Sequence, residues 1–462
     1  MAETSDDLIT ALRAELPDEA VVTDPDRLAS YQHDMATFCP YGMPAVCVLA
    51  RSTEHVQHVL RVASRLGVPV VPQGARTGLS GGANAIDGCI VLSLSKMAAI
   101  REIDAPNRIA VVEPGVLNAT LSAAVAEHGL FYPPDPSSWE ISTLGGNVAT
   151  NAGGLCCVKY GVTADFVRGL EVVLADGEVL RTGRRTAKGV AGYDLTRLFV
   201  GSEGTLGVVT EVTLALRPTG REPRTVAGLF PTVAQAGDAV ARVVAAGLVP
   251  SLLEFMDQTS LRASNDHLNM GLPEDAAAML IAQSDADPDR AVADIGAISA
   301  IFSEAGGFDV VEAEDLAEGE MLLAARRNSH YALEALGTGL TDDVCVPLTR
   351  LADYIHQVEK VAAEADLTIA TVGHAGDGNL HPSVIFDEKD ADQVRRANWA
   401  FDEIMRIGLE MGGTVTGEHG IGVLKRDWLA RELGPVGERV HRDLKRLFDP
   451  AGILNPGKVL SA

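Results

Sequence analysis

The chain has 462 residues, which at about 150 residues per domain predicts two large domains or three smaller ones, and 47% of its residues are apolar, enough for real cores. Lys and Arg number 38 against 63 Asp and Glu, a formal charge of −25. With no basic stripe to meet phosphates, this charge argues against nucleic acid and against anionic membrane surfaces.

The opening stretch, MAETSDDLITALRAELPDEA, is acidic and amphipathic, and no uninterrupted apolar run reaches about 18 residues, so neither export nor a transmembrane segment is expected. The six cysteines (Cys39, Cys47, Cys89, Cys156, Cys157 and Cys345) include no C-x-x-C pair. They fit neither a disulfide framework, a zinc ribbon nor an iron–sulfur set, which points to a reducing, cytoplasmic setting.

Along the chain, Val56, Val59, Leu60 and Ala63 recur at helical spacing, Gly67 closes that helix, and VPVVPQG reads as a buried strand. Pro, Gly and Arg in RPTGREPR, Arg217 to Arg224, mark a domain boundary. Beyond it TVAGLF, a helix from about Val233 to Ala246, and LLEFMD read as strand, helix, strand. AAMLIAQ, the helix before Gly306 and FDVVEA repeat the rhythm. The expected class is α+β, with the second sheet covered on one side by helices.

Glycine clusters are where backbone can approach a ligand closely. The first, QGARTGLSGGAN, follows the VPVVPQ strand and packs Gly74, Ala75, Arg76, Thr77, Gly78, Leu79 and Ser80 beside Gly81 and Gly82. Successive N–H groups in such a turn can cradle a phosphate, which a chain of charge −25 needs because its global field repels anions. A solvated loop is the other reading. The cluster is neither G-x-G-x-x-G nor G-x-x-x-x-G-K-[ST], which disfavours a Rossmann-type dinucleotide fold and a P-loop. Two further runs of small residues, Pro133 to Gly154 and Gly192 to Leu214, leave space for a flat heteroaromatic ring along the backbone.

The strand with QGARTGLSGGA, then PPDPSS, STLGGNVATNAGG and LFVGSEGTLGVVTEVTL, in that order, resemble the FAD-binding domain (PCMH-type) of the vanillyl-alcohol-oxidase type flavoproteins. GHAGDGNLH, TGEHGIG and DPAGILNPGKVL are similar to the branch holding D-lactate dehydrogenases, glycolate oxidase flavin subunits and D-2-hydroxyglutarate dehydrogenases. The resemblance implies a two-part FAD-binding domain over 1–219, a substrate and metal domain with an antiparallel sheet over 220–440, and a segment over 441–462 that returns to the flavin. By matching, the FAD contacts fall on Gly74 to Ser80, Pro134, Asp135, Thr143, Gly145, Gly146, Ala149, Gly153, Tyr160, Gly161, Glu203, Val209 and Asn455. No His or Cys lies between Gln73 and Asn84 to bond a flavin there, so a dissociable cofactor is expected.

His374 and His381 straddle Asp377-Gly378, a favoured two-residue turn, and pairing about it sets the two histidines directly opposite each other, close enough to share a metal ion. Glu418 of TGEHGIG can complete a set of two imidazoles and one carboxylate. A packed, hydrogen-bonded histidine pair is the alternative. The resemblance implies zinc or manganese, and the donor set accepts either. His419 follows Glu418, and adjacent side chains of an extended segment point apart, which makes His419 the expected general base. Arg326 matches the family's position for the substrate carboxylate, and His330, one turn on, shares its face.

Where the 2-hydroxyglutarate branch carries a lysine, Thr341-Asp342 stand here, which favours a monocarboxylate. The resemblance thus implies FAD-dependent oxidation of a D-2-hydroxy acid, D-lactate first, by hydride transfer to flavin N5 with a divalent metal and a His base. No haem or iron–sulfur motif is evident, so an external acceptor is expected: a cytochrome, a quinone or an electron-transfer flavoprotein. Peripheral membrane contact through that acceptor and a homodimer stay open. The alternatives are the flavin subunit of a glycolate oxidase complex and, in another class, a metal-dependent hydrolase.

Overall fold

A computed structural model describes residues 2–36 and 38–461, apart from the side chains of residues 2–5 and 330. The chain forms two compact units, Met1–Gly153 with Val162–Thr219 and Glu418–Ala462, and Gly154–Gly161 with Gly220–Gly417. Residues 418–440, grouped with 220–417 in the sequence reading, pack in the first unit. There Val423 and Leu424 donate their N–H groups to the Ser80 carbonyl, at 2.9 and 3.2 Å.

The first unit holds a four-stranded and a five-stranded sheet. In the smaller, Val46–Leu49 and Val70–Gln73 both pair parallel to Ile90–Ser93, while Val21–Val22 adds antiparallel. Parallel neighbours require a crossover, and the helix Thr53–Leu66 supplies the one between Val46–Leu49 and Val70–Gln73. Ser52 caps its start by accepting the His55 N–H, and Gly67 ends it at φ +66°, a left-handed conformation natural to glycine. Val56, Val59, Leu60 and Ala63 are buried, as their spacing predicts, in a core shared with Ile90, Leu92, Val173 and Val208. The five-stranded sheet is antiparallel, with Val208–Ala215 at its centre between Ile109–Val112 and Val167–Val173.

The second unit is built on one eight-stranded antiparallel sheet. Its order runs Phe308–Glu312, Arg224–Phe230, Ala278–Ser284, Leu252–Asp257, Thr368–His374, Asn379–Phe386, Thr338–Thr341, and Val344–Cys345 also pairs with Asn379–Phe386. The expected one-sided helical cover is corrected here, because helices lie on both faces. Alternate residues of a strand point to opposite faces. Ala227 and Leu229 pack with Leu261 of helix Gln258–Leu268 and Leu323 of helix Leu316–Arg327. Gly228 and Phe230 instead meet Phe302 of helix Pro288–Glu304, whose ring stands edge-on to Phe230 at 5.7 Å. Cover on both faces is why Ala278–Ser284 is buried throughout and shows no polar alternation.

Phe302→Ala should lower the stability of the protein by about 3–5 kcal/mol, since it empties an aromatic site between helix and sheet. Urea unfolding followed by circular dichroism measures this, and a loss below about 1 kcal/mol would show that the helix adds little to that face.

Candidate active site

Sheet register builds the site in the second unit. Glu254 pairs with His374, and Val372 with His381. Leu252, Met256 and Val372 belong to the core under helix Leu316–Arg327, so by period two Glu254, His374 and His381 lie on that same face. Arg326 reaches it from the last turn of the helix.

These side chains form a buried network. Glu254, 0% exposed, accepts Arg326 Nε–H on Oε2 at 2.8 Å, while its Oε1 lies 2.8 Å from His374 Nδ1. The rings of His374 and His381 stand at 82° with centroids 5.2 Å apart. His381 Nδ1 lies 3.6 Å from Asp343 Oδ1, and the other Asp343 oxygen accepts the Thr416 hydroxyl at 2.7 Å.

The turn between the two strands differs from the expected one. His374 pairs with Asn379, so four residues, Ala375 to Gly378, make the loop in place of two. The His374 carbonyl accepts the Asp377 and Gly378 N–H groups at 3.2 and 3.0 Å, and Gly378 sits at φ +84°. The histidines are therefore diagonal neighbours, displaced by two residues, which keeps both on one face and leaves their rings adjacent. His374 Nδ1 lies at hydrogen-bond distance from the buried Glu254 carboxylate, an arrangement that would leave its opposite nitrogen for an ion, whereas the Asp343 carboxylate beside His381 Nδ1 lies beyond that distance. The pair thus fits a metal such as zinc.

In the first unit the tail and the glycine loop are joined by polar contacts. The Glu203 carboxylate accepts Ile421 N–H at 2.7 Å and Gly422 N–H at 2.9 Å. Asn455 donates Nδ2–H to the carbonyls of Gly82 and Glu203, at 2.9 and 2.8 Å. The Ser80 hydroxyl donates to the Gly420 carbonyl at 2.9 Å. Glu418 stands against Gly153, where an added Cβ would lie 2.3 Å from its carboxylate, so a larger residue there would displace the Glu418 side chain. Segment 417–419 is bent, not extended, and His419 Nε2 comes within 3.7 Å of Glu418 Oε1. The expectation that the two side chains diverge is corrected accordingly.

Among the described residues, no acceptor within the chain meets the backbone N–H groups of Ala75 through Gly82. An eight-residue run of available donors, with Arg76 held at φ +60° and Gly81 at φ +73°, fits a pyrophosphate. Thr143 caps helix Leu144–Thr150 by accepting Gly146 N–H, and Gly145 lies so near Pro114 that a Cβ would be 2.4 Å from its ring. Ala149 accepts Glu203 N–H at 2.8 Å, Pro134 accepts Asn118 Nδ2–H at 2.9 Å, and Val209 lies in the central strand. Asp135 follows in the same loop, where it is half-buried.

Tyr160 and Gly161 fall in the second unit, where the Asp285 carboxylate takes both Tyr160 Oη–H and Lys159 Nζ–H. The His330 side chain lies outside the described residues. Sequence reasoning passed over Glu254 and Asp343. The signal was an acidic residue inside an otherwise apolar strand, LLEFMD, and paired aspartates ahead of VCVP.

The FAD binding domain family matches residues 44–183, and the C-terminal domain of FAD linked oxidases matches residues 220–459. The chain belongs to the FAD-linked oxidases, and the protein is an FAD-binding oxidoreductase. It is 43% identical to the glycolate oxidase subunit GlcD of Bacillus subtilis (strain 168), over 93% of this chain and 92% of that one. It is 38% identical to the D-lactate dehydrogenase of Anaerostipes hadrus, over 93% and 92%. The solved 4-ethylphenol oxidase of Gulosibacter chungangensis superposes with a TM-score of 0.82 at 21% identity, over 100% of this chain and 98% of that one. The vanillyl-alcohol-oxidase type of FAD fold read from the motifs is borne out. Among the described residues no helix is long and apolar enough to cross a membrane.

Burial pushes the Glu203 carboxyl up to about 7 and the Asp257 carboxyl up to about 6, against the two backbone N–H groups each accepts. Both values are raised above those of the unfolded chain. The stability these groups contribute is therefore complete below about pH 4 and lost as pH rises through 6 and 7. Thermal unfolding between pH 5 and 8 should show a midpoint that falls with pH. Glu203→Gln should flatten the upper part of that slope, and an unchanged profile would place the Glu203 proton elsewhere.

Proposed function

We propose that the protein oxidises a D-2-hydroxy acid, D-lactate foremost, to the 2-oxo acid and passes the electrons to an external acceptor. The observation that carries this reading is the Arg326–Glu254–His374 network, in which one buried carboxylate joins a guanidinium to an imidazole, the two kinds of group that would meet a substrate carboxylate and a metal. The names of the relatives, a glycolate oxidase subunit and a D-lactate dehydrogenase, support a small hydroxy acid.

Arg326 Nε is engaged by Glu254, so a substrate carboxylate would meet the two terminal guanidinium nitrogens, which offer a bidentate fork. His374 and His381 would hold a divalent ion, zinc or manganese, with Glu418 as the third ligand that the sequence expectation names. Such an ion would act as a Lewis acid toward the substrate oxygens. His419 would accept the hydroxyl proton. Bound FAD supplies the two-electron oxidant for this chemistry. The backbone donors of Ala75 to Gly82 would hold its pyrophosphate, and the cofactor should come free when the protein is denatured.

The higher identity to GlcD favours a second reading, glycolate as substrate within a subunit complex. The two substrates differ by one methyl group, worth about 1–3 kcal/mol in a pocket, which motifs do not resolve.

Anaerobic mixing with D-lactate should bleach the flavin, L-lactate should react far more slowly, and prior chelation should slow reduction. Faster bleaching by glycolate supports the second reading, and a colourless protein that hydrolyses substrates refutes both. His419→Asn should lower kcat by about 10²–10⁴-fold with the flavin still bound. A loss below tenfold would remove His419 from proton transfer.

A further inference from the structure

For a histidine to bind a metal through Nε2 it must carry its proton on Nδ1, and which ring nitrogen is protonated is set by the partner of the other. His374 Nδ1 lies 2.8 Å from Glu254 Oε1, with both side chains buried. An ionised carboxylate only accepts hydrogen bonds, so Nδ1 must be the donor, and in the neutral ring that binds a metal Nε2 keeps the lone pair. The other Glu254 oxygen accepts from Arg326 Nε at 2.8 Å. One side chain therefore constrains both the imidazole and the guanidinium.

We infer that Glu254 is a positioning residue that locks His374 in the Nδ1–H tautomer for metal binding while it holds Arg326 for the substrate carboxylate. The inference rests on the metal assignment proposed above, but it makes a claim that assignment does not contain. Replacing the carboxylate by the isosteric amide should invert the tautomer. Arg326 Nε can only donate, so the amide oxygen of Glu254→Gln must face it. The amide NH₂ then faces His374 Nδ1, which has to accept, and the ring proton moves to Nε2. That nitrogen can no longer ligate without losing its proton first.

The test uses the full-length protein with flavin retained, stripped of metal by a chelator and labelled with ¹⁵N-histidine. His374 is assigned by the signal lost in His374→Asn. Long-range ¹H–¹⁵N spectra should report Nδ1–H in the wild type and Nε2–H in Glu254→Gln. Zinc affinity, measured by competition with a chromophoric chelator, should fall by about 10–100-fold in that variant. Glu254→Asp, still acceptor-only, should keep the wild-type tautomer, which a role confined to packing would not require.

An Nε2–H His374 in the wild type overturns the inference even if no variant folds. So does a Glu254→Gln protein with the wild-type tautomer or with zinc affinity within twofold of the wild type. If the wild type binds no zinc at all, the metal reading fails, and the tautomer comparison still decides the part played by Glu254.

Discussion

A carboxyl group buried away from water is costly unless hydrogen-bond partners meet it, and two such groups organise this protein. Glu254 has no exposed surface and is met by a guanidinium and an imidazole, all within one unit. Glu203 is nearly as buried in the other unit and is met by two successive backbone N–H groups of the tail. In each case the requirement for donors draws together segments far apart in sequence. Removing one partner would leave the other buried without compensation, so these contacts are more demanding than the many exposed ion pairs of the surface.

Around Glu203 the consequence is a closed loop of contacts. The glycine loop lends Ser80 and Gly82, the helix after Thr143 lends Ala149, and the tail lends Gly420 to Gly422 and Asn455. None of these contacts uses the N–H groups of Ala75 to Gly82. The loop is thus held through its carbonyls and one hydroxyl while its donors remain for an anion, a division of labour suited to FAD pyrophosphate. Glu203 and Asn455, expected as flavin contacts, act in the structure as ties between the tail and the loop.

Around Glu254 the sheet register does the corresponding work. Antiparallel pairing sets it opposite His374, the four-residue turn shifts His381 by two, and the helix bearing Arg326 covers the same face. A shift of one residue would have sent His381 to the opposite face, whereas a shift of two preserves the face. The shared face expected of the two histidines survives the error in turn length for that reason. It also shows why Asp-Gly alone was insufficient: the dipeptide marks a turn, but the His374 carbonyl, accepting from both Asp377 and Gly378, sets its length.

What the residues alone determined was the local: the helix of Val56 to Ala63 from its period, the strands from apolar runs, the FAD family from its glycine clusters, and His374, His381, Arg326 and His419 as candidates for the reactive side chains. Each rests on neighbours within a few positions or on a motif that a ligand's shape demands. Tertiary structure alone decided that helices cover both faces of the large sheet, that residues 418–440 pack with the first unit, that Glu418 and His419 approach each other, and that Glu254 joins Arg326 to His374. These depend on contacts across tens to hundreds of residues, and a buried charge in an apolar strand shows that a partner must exist without showing which one.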